Sequence, residues 1–251
     1  MVRGKGRDRG KDNLGRVRKP STRVRPREVY IFTEGEVTEP EYIDFLRVHG
    51  ELKVPGRPFE IHFENSRAPS KRRKPLPLVE DAVDCLVRVE KAARQAGLKK
   101  EPERDWNWPQ VWCFFDRDEH KDISPAFARA RNVGVNIAYS HPCFELWRLL
   151  HYQNYTGRLG GLCEDAAALL RKQPGFAATY GGRGGSVSAE QVKHVKADQL
   201  AATVPEQNRF EQAKQYATRL GGKQAGLDPA RWDPYTDVYR FVEDGLGVCK
   251  Y

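Results

Sequence analysis

The chain has 251 residues, 39% hydrophobic and 31% charged, and 43 Lys and Arg against 34 Asp and Glu leave a net charge of +9. That length suits one α/β domain with elaborations and is enough to bury a sizeable core, while no apolar run approaches the ~18 residues of a membrane span. The opening residues lack the apolar stretch of a secretory leader, and the five cysteines are widely spaced with no C-x-x-C pair, so free thiols in a reducing cytoplasm are expected rather than a disulfide framework or a zinc site.

Charge is unevenly spread: residues 1–28 carry +8 of the +9. Residues 1–27 are expected to form a disordered basic arm, too poor in apolar side chains to fold alone and suited to gain affinity for phosphates through counterion release. The competing reading of this segment is a solubilising tail.

From there strand and helix signals alternate, the pattern of an α/β fold with a mostly parallel sheet. Val29 to Phe32 suit a buried strand. Thr38 with Glu41 reads as a capping box opening a helix whose stripe is Tyr42, Phe45 and Leu46. Phe59, Ile61 and Phe63 alternate with polar residues, predicting a half-exposed strand toward a sheet edge. Residues 66–77 read as a loop, and its cations Arg67, Lys71, Arg72, Arg73 and Lys74 are candidate nucleic-acid contacts. Helical spacing runs over 78–96 and stops at Gly97. Val111 to Phe115, the most apolar run, predicts a central strand. A short helix opens at Ser124–Pro125, and Val135 to Tyr139 read as the last clear strand. Beyond Pro142 the spacing predicts helices over 142–152, 164–172, 188–203, 206–220 and 235–245, with a flexible glycine-rich stretch at 181–185. The expected organisation is a catalytic core at 28–141 and a helical elaboration at 142–251, packed on the sheet or beside it.

Two acidic clusters directly follow predicted strands: Glu34 to Glu39 after the first, Asp116 to His120 after the central one. Ligands of open parallel sheets gather beyond the carboxyl ends of the strands, so adjacent parallel strands would bring Glu34, Asp116 and Asp118 together. Convergent carboxylates repel one another unless a cation neutralises them, and hard oxygen donors favour Mg²⁺ or Mn²⁺. Taken singly, either cluster reads equally as a solvated turn. An EF-hand fails because its sixth and twelfth positions would be Lys121 and Phe127, and no phosphate-binding loop or G-x-S-x-G is present. His120 could orient a water or contact phosphate. Glu145, in a first helical turn, is a further candidate, although the helix dipole favours a carboxylate there in any case. His151 reads as a packed helix residue, and Trp106 and Trp108 as caps on the core.

Glu-Gly after one strand and Asp-x-Asp after a later one is similar to the Toprim signature. Ile31 to Tyr42, Phe115 to His120, Ser140 to Trp147 with Leu149 to His151, and Asp233 to Tyr239 together resemble four blocks of the RloB family. This resemblance implies a Toprim-like mostly parallel sheet with flanking helices, and a nuclease in anti-phage defence governed by an ATPase partner encoded nearby. Glu34 would be a general acid/base or metal-linked carboxylate, and Asp116 and Asp118 would hold Mg²⁺. Related overcoming-lysogenisation-defect nucleases carry a second Glu four residues after the first, serving a second metal; here that position is Thr38, and Glu39, five on at a helix start, is the catalytic candidate that could still reach. Those relatives also place a basic residue at the transferring phosphate, for which His141 and Arg148 are the candidates.

The expected activity is metal-dependent cleavage of DNA or RNA, tRNA included, by a chain that is free of the membrane and able to self-associate. The alternatives are a non-catalytic nucleic-acid-sensing or partner-binding module, and a nucleotidyl or phosphoryl transferase using the same metals.

Overall fold

The computed structural model describes residues 24–100, 106–180, 187–201, 208–224 and 226–251. Most of the basic arm and the glycine-rich 181–185 stretch lie outside them. Among the described residues, no helix is long and apolar enough to cross a membrane.

The fold is mixed α/β. Strands β1 (Arg27–Thr33), β3 (Phe59–Phe63), β4 (Gln110–Asp116), β5 (Asn136–His141) and β6 (Tyr235–Thr236) form one sheet in the order β3-β1-β4-β5-β6. All neighbours are parallel except β5 and β6. A two-residue β2 (Glu51–Leu52) pairs antiparallel with β7 (Val248–Lys250) apart from this sheet. As expected, β4 is central and β3 takes an edge. The unbroken apolar run of β4 follows from burial on both faces: Trp112 and Phe114 point one way, Val111, Cys113 and Phe115 the other.

Helices α2 (Pro75–Gln95) and α3 (Ile123–Val133) cover one face, placing Leu78, Val79, Ile123 and Ala126 on Phe32, Cys113 and Phe115. Helices α1 (Thr38–His49), α4 (Glu145–Leu150) and α8 (Arg209–Lys223) cover the other with a π-helical turn, Phe241–Gly245, sharing one core with Ile31, Trp112 and Phe114. The C-terminal helices thus pack on the sheet. A small satellite core of Leu170, Phe176 and Val192 joins α5 (Cys163–Arg171) to α6 (Ala189–Lys193).

Several local expectations are corrected. Val135 to Tyr139 do not mark the last strand: Tyr235 and Thr236, expected to open a helix, pair instead with His141 and Ser140. A two-residue strand has no periodicity to detect. Thr38 does not cap α1, because the helix already includes it and Val37 occupies the cap position. The Glu41 carboxylate accepts instead from His194 Nδ1 and Val195 N, both at 2.7 Å. That tertiary contact falls where the helix expected over 188–203 breaks into α6 and α7 (Ala197–Leu200). In the 66–77 loop a short 3₁₀ turn spans Ser70–Arg72, and α2 opens at Pro75, a first-turn position that proline suits because its missing N–H is not needed there. The helix does stop as expected, with Gly97 at φ +81°.

Candidate active site

Register decides the site. Thr33 lies beside Phe114 across the parallel β1–β4 pair, and Glu34 N donates to Phe114 O at 2.9 Å, so Glu34 and Asp116 emerge at the same sheet edge. The turn carrying Glu34 is held from below. Asn65 brackets Thr33 through its N–H (3.0 Å) and carbonyl (2.8 Å). Arg73 donates to the carbonyls of Thr33 (3.2 Å), Ser66 (3.1 Å) and Ala68 (3.1 Å). Arg73 is therefore buried and occupied as a clamp on the turn that carries Glu34, not presented to a nucleic acid. Arg72 pairs with Asp81. Of the expected phosphate contacts, Arg67, Lys71 and Lys74 remain exposed.

Glu39 enters from the first turn of α1 and folds back on Gly35, whose N–H donates to Oε1 at 3.3 Å. A Cβ on Gly35 would lie 2.0 Å from Glu39 Oε2, so only glycine allows that approach. Both Glu34 oxygens are engaged: Oε2 accepts from Asp116 N at 3.1 Å, and Oε1 meets His120 Nε2. Asp116 Oδ2 accepts from Phe144 N at 3.1 Å, just ahead of α4. Asp118 is exposed, on a turn with φ +33°, a strained value for a residue other than glycine.

These groups line a cavity of about 570 Å³. Glu34, Glu36, Glu39, Asp116, Asp118, Glu145, Glu164 and Glu190 all reach it, and Lys193 is its one basic side chain among the described residues. The electrostatic consequence is large. Burial, reinforced by Glu145 and Glu34, pushes the Glu39 carboxyl up to about 7. Asp116 is driven well above the usual carboxylate range, by burial first and then by Glu39 and Glu34. Burial raises Glu34 as well, opposed by its hydrogen bond to His120.

The sign of the pH dependence follows. A carboxyl that binds its proton more tightly when folded loses stabilisation as pH rises from its unfolded value toward its folded one. The metal-free protein should therefore lose stability between about pH 4.5 and 7, the interval over which Glu39 is shifted. Glu39→Gln should flatten that decline and raise the stability of the metal-free protein near pH 8, on the order of 1–3 kcal/mol. Urea melts across this range check it; an unchanged slope would mean Glu39 is solvated.

The expected trio Glu34, Asp116 and Asp118 lines one cavity, yet its oxygens are not drawn to within 4.8 Å of one another. Among the described residues only Glu28, Glu60 and His62, near the amino end of β1, meet that spacing. The donor set of the cavity nonetheless fits a hard divalent cation: desolvated oxygens that raise one another's proton affinity are relieved by positive charge. Two further carboxylates join them. Glu39, one position beyond the place of the second Glu in related nucleases, and Glu145 both line the same cavity.

The basic candidates are corrected. Arg148 is fully buried, bonded to backbone carbonyls, and His141 lies in a neighbouring cavity. Lys193, which does line the site, was missed because nothing in its local pattern sets it apart from a surface helix lysine. Its Nζ is 2.9 Å from Glu190.

A family model described as RloB-like protein matches residues 29–244. No curated protein and no solved structure matches the chain.

Proposed function

The chain belongs to the RloB-like family, and on that premise we propose that it is a divalent-metal-dependent nuclease hydrolysing phosphodiesters of DNA or RNA. The observation carrying this reading is the gathering of Glu34, Glu39, Asp116 and Glu145 in one cavity beyond the carboxyl ends of β1 and β4. A surface built only to bind nucleic acid gains nothing from so many carboxylates turned toward phosphates.

Glu34, Asp116 and Asp118 would hold Mg²⁺ or Mn²⁺, with Glu39 and Glu145 available to a second ion. The metal supplies charge neutralisation at the phosphate and a more acidic water. The protein's own groups have distinct tasks. His120 fixes the orientation of Glu34 through their hydrogen bond, making it a positioning residue. Phe144 N–H and Asp116 N–H hold the two carboxylates in place before any ligand arrives. Glu39, poised near neutrality by its burial, can hold or release a proton at the cavity wall. Arg67, Lys71 and Lys74 flank the Arg73-clamped turn as exposed charges for the backbone.

In its biological setting the proposed role is that of an effector in anti-phage defence, controlled by an ATPase partner, since the chain carries no nucleotide-binding loop of its own. The test is cleavage of plasmid, single-stranded DNA and tRNA with Mg²⁺, Mn²⁺ or EDTA, with and without the neighbouring gene's product. Metal-dependent cleavage of at least one substrate is expected. Failure on all of them, with partner present, would sink the nuclease reading.

A further inference from the structure

A second cavity of about 550 Å³ adjoins the carboxylate cavity, and Asp118 lines both. Its chemistry is different. Arg117, Arg158, Arg231 and His141 converge there, contributed by the β4–α3 turn, the segment before α5, the 3₁₀ turn Pro229–Arg231 and the end of β5. Its acids are Asp118 and Glu119, both exposed, and Asp233, which is already occupied: its two oxygens accept the N–H groups of Leu159 and Gly160, each at 3.0 Å. Arg117 is fixed by the carbonyls of Ala230, Asp118 and His120. Arg158 and Arg231 are exposed, and their guanidinium groups make no hydrogen bond or ion pair among the described residues, although the charge of Arg231 is felt by Asp228.

Two further groups lack partners. His141 is only 5% exposed, and its buried Nδ1 has no hydrogen bond. Gly161, held at φ +78° on the cavity wall, has an N–H that makes no hydrogen bond among the described residues. The other ring nitrogen, Nε2, lies 3.8 Å from where a Cβ of Gly161 would stand on the cavity wall and is the one a ligand there could meet. Guanidinium forks match the oxygens of a phosphate, whereas the carboxylate cavity repels one until a cation is bound.

We propose that the Arg117–Arg158–Arg231 cavity is a phosphate subsite, seating the backbone phosphate next to the one at the carboxylates. The inference rests on the nuclease reading for which phosphate reacts, but binding here does not depend on cleavage. A polynucleotide crossing Asp118 would then pass from an all but wholly acidic, metal-requiring cavity to one where three guanidiniums balance three acids, which fixes its register without reading its bases. His141, neutral because burial lowers its ring to about 4, would contribute a hydrogen bond rather than charge.

The test measures binding, not cutting. In the full chain carrying Glu34→Gln, with Mg²⁺ present, a fluorescent single-stranded oligonucleotide is titrated across a salt series. Adding Arg158→Ala and Arg231→Ala together should weaken binding roughly tenfold or more and lower the log–log salt slope by about 1.4, two contacts at ~0.7 each. Arg158→Lys with Arg231→Lys should keep most of the slope, because charge is retained. Circular dichroism confirms that each variant is folded. Unchanged affinity and slope in the double alanine variant would overturn the proposal. A nucleoside monophosphate supplies the second arm: if the double variant loses its binding while the oligonucleotide is held as before, the cavity takes free phosphate esters and the backbone assignment falls. Lack of cleavage by the parent chain with its partner present would count against the nuclease reading alone.

Discussion

Asp116→Asn and Glu34→Gln are each expected to lower metal-dependent cleavage by more than ~100-fold, since changes to groups merely supporting a metal's ligands already cost 10–100-fold. The same substitutions should leave the metal-free protein as stable as the parent or more so. Asp116 is half-buried beside Glu39 and Glu34, and its carboxyl is driven well above the usual range, so a neutral amide removes repulsion that the folded state otherwise carries. Mg²⁺ reverses the order: at a concentration 100 times its dissociation constant it should stabilise the parent by ~2.7 kcal/mol, and the variants by much less. Cleavage rates and thermal melts with and without Mg²⁺ measure both halves. A variant that cuts at the parental rate would remove that residue from the site. Variants that lose cleavage but show the same Mg²⁺-induced stabilisation would keep a role in the reaction and lose the role of ligand.

Much of this site was legible because its signals are local. A strand buried on both faces produces the apolar runs of β1 and β4, and the acids follow those runs directly in sequence, so Glu34 and Asp116 could be placed at strand ends before their neighbours were known. Their adjacency was conditional on parallel pairing, which the Thr33–Phe114 register now supplies. What could not be read depends on contacts distant in the chain. Glu41 looked like half of a capping box, yet its partners are His194 and Val195, more than 150 residues away. Arg73 looked like one of a run of surface cations, and only the carbonyls of Thr33, Ser66 and Ala68 around it reveal a buried clamp. Arg158 and Arg231 carry no pattern at all. They meet Arg117 because Asp233 grips the turn at Leu159 and Gly160 while Arg117 reaches Ala230, contacts spanning 73 or more residues.

Arg148→Ala is expected to destabilise the protein by about 3–5 kcal/mol, the cost typical of removing one member of a buried, hydrogen-bonded charged group. The side chain is fully buried at the heart of the wall behind the carboxylate cavity. Its guanidinium donates to Val192 O, to His194 O at 3.1 Å, to Gln199 Oε1 at 2.7 Å and to Tyr180 OH at 3.3 Å, and stacks 5.7 Å over the Phe176 ring. Removing it strands the carbonyls at the C-terminal end of α6 and leaves a cavity where the side chain packed. Arg148→Met fills most of that volume and should therefore cost less than alanine, whereas Arg148→Lys keeps the charge but not the fork and should recover little. Because α6 carries Lys193 and Glu190 into the carboxylate cavity, loosening it should also lower the proposed cleavage, in proportion to the population that has lost the wall. Urea denaturation and limited proteolysis at the α6–α7 segment, alongside cleavage rates, separate this structural role from a direct one at the phosphate. An alanine variant that melts like the parent yet cuts poorly would show that Arg148 acts on substrate; one that is destabilised and regains its rate at low temperature would show that it holds the wall.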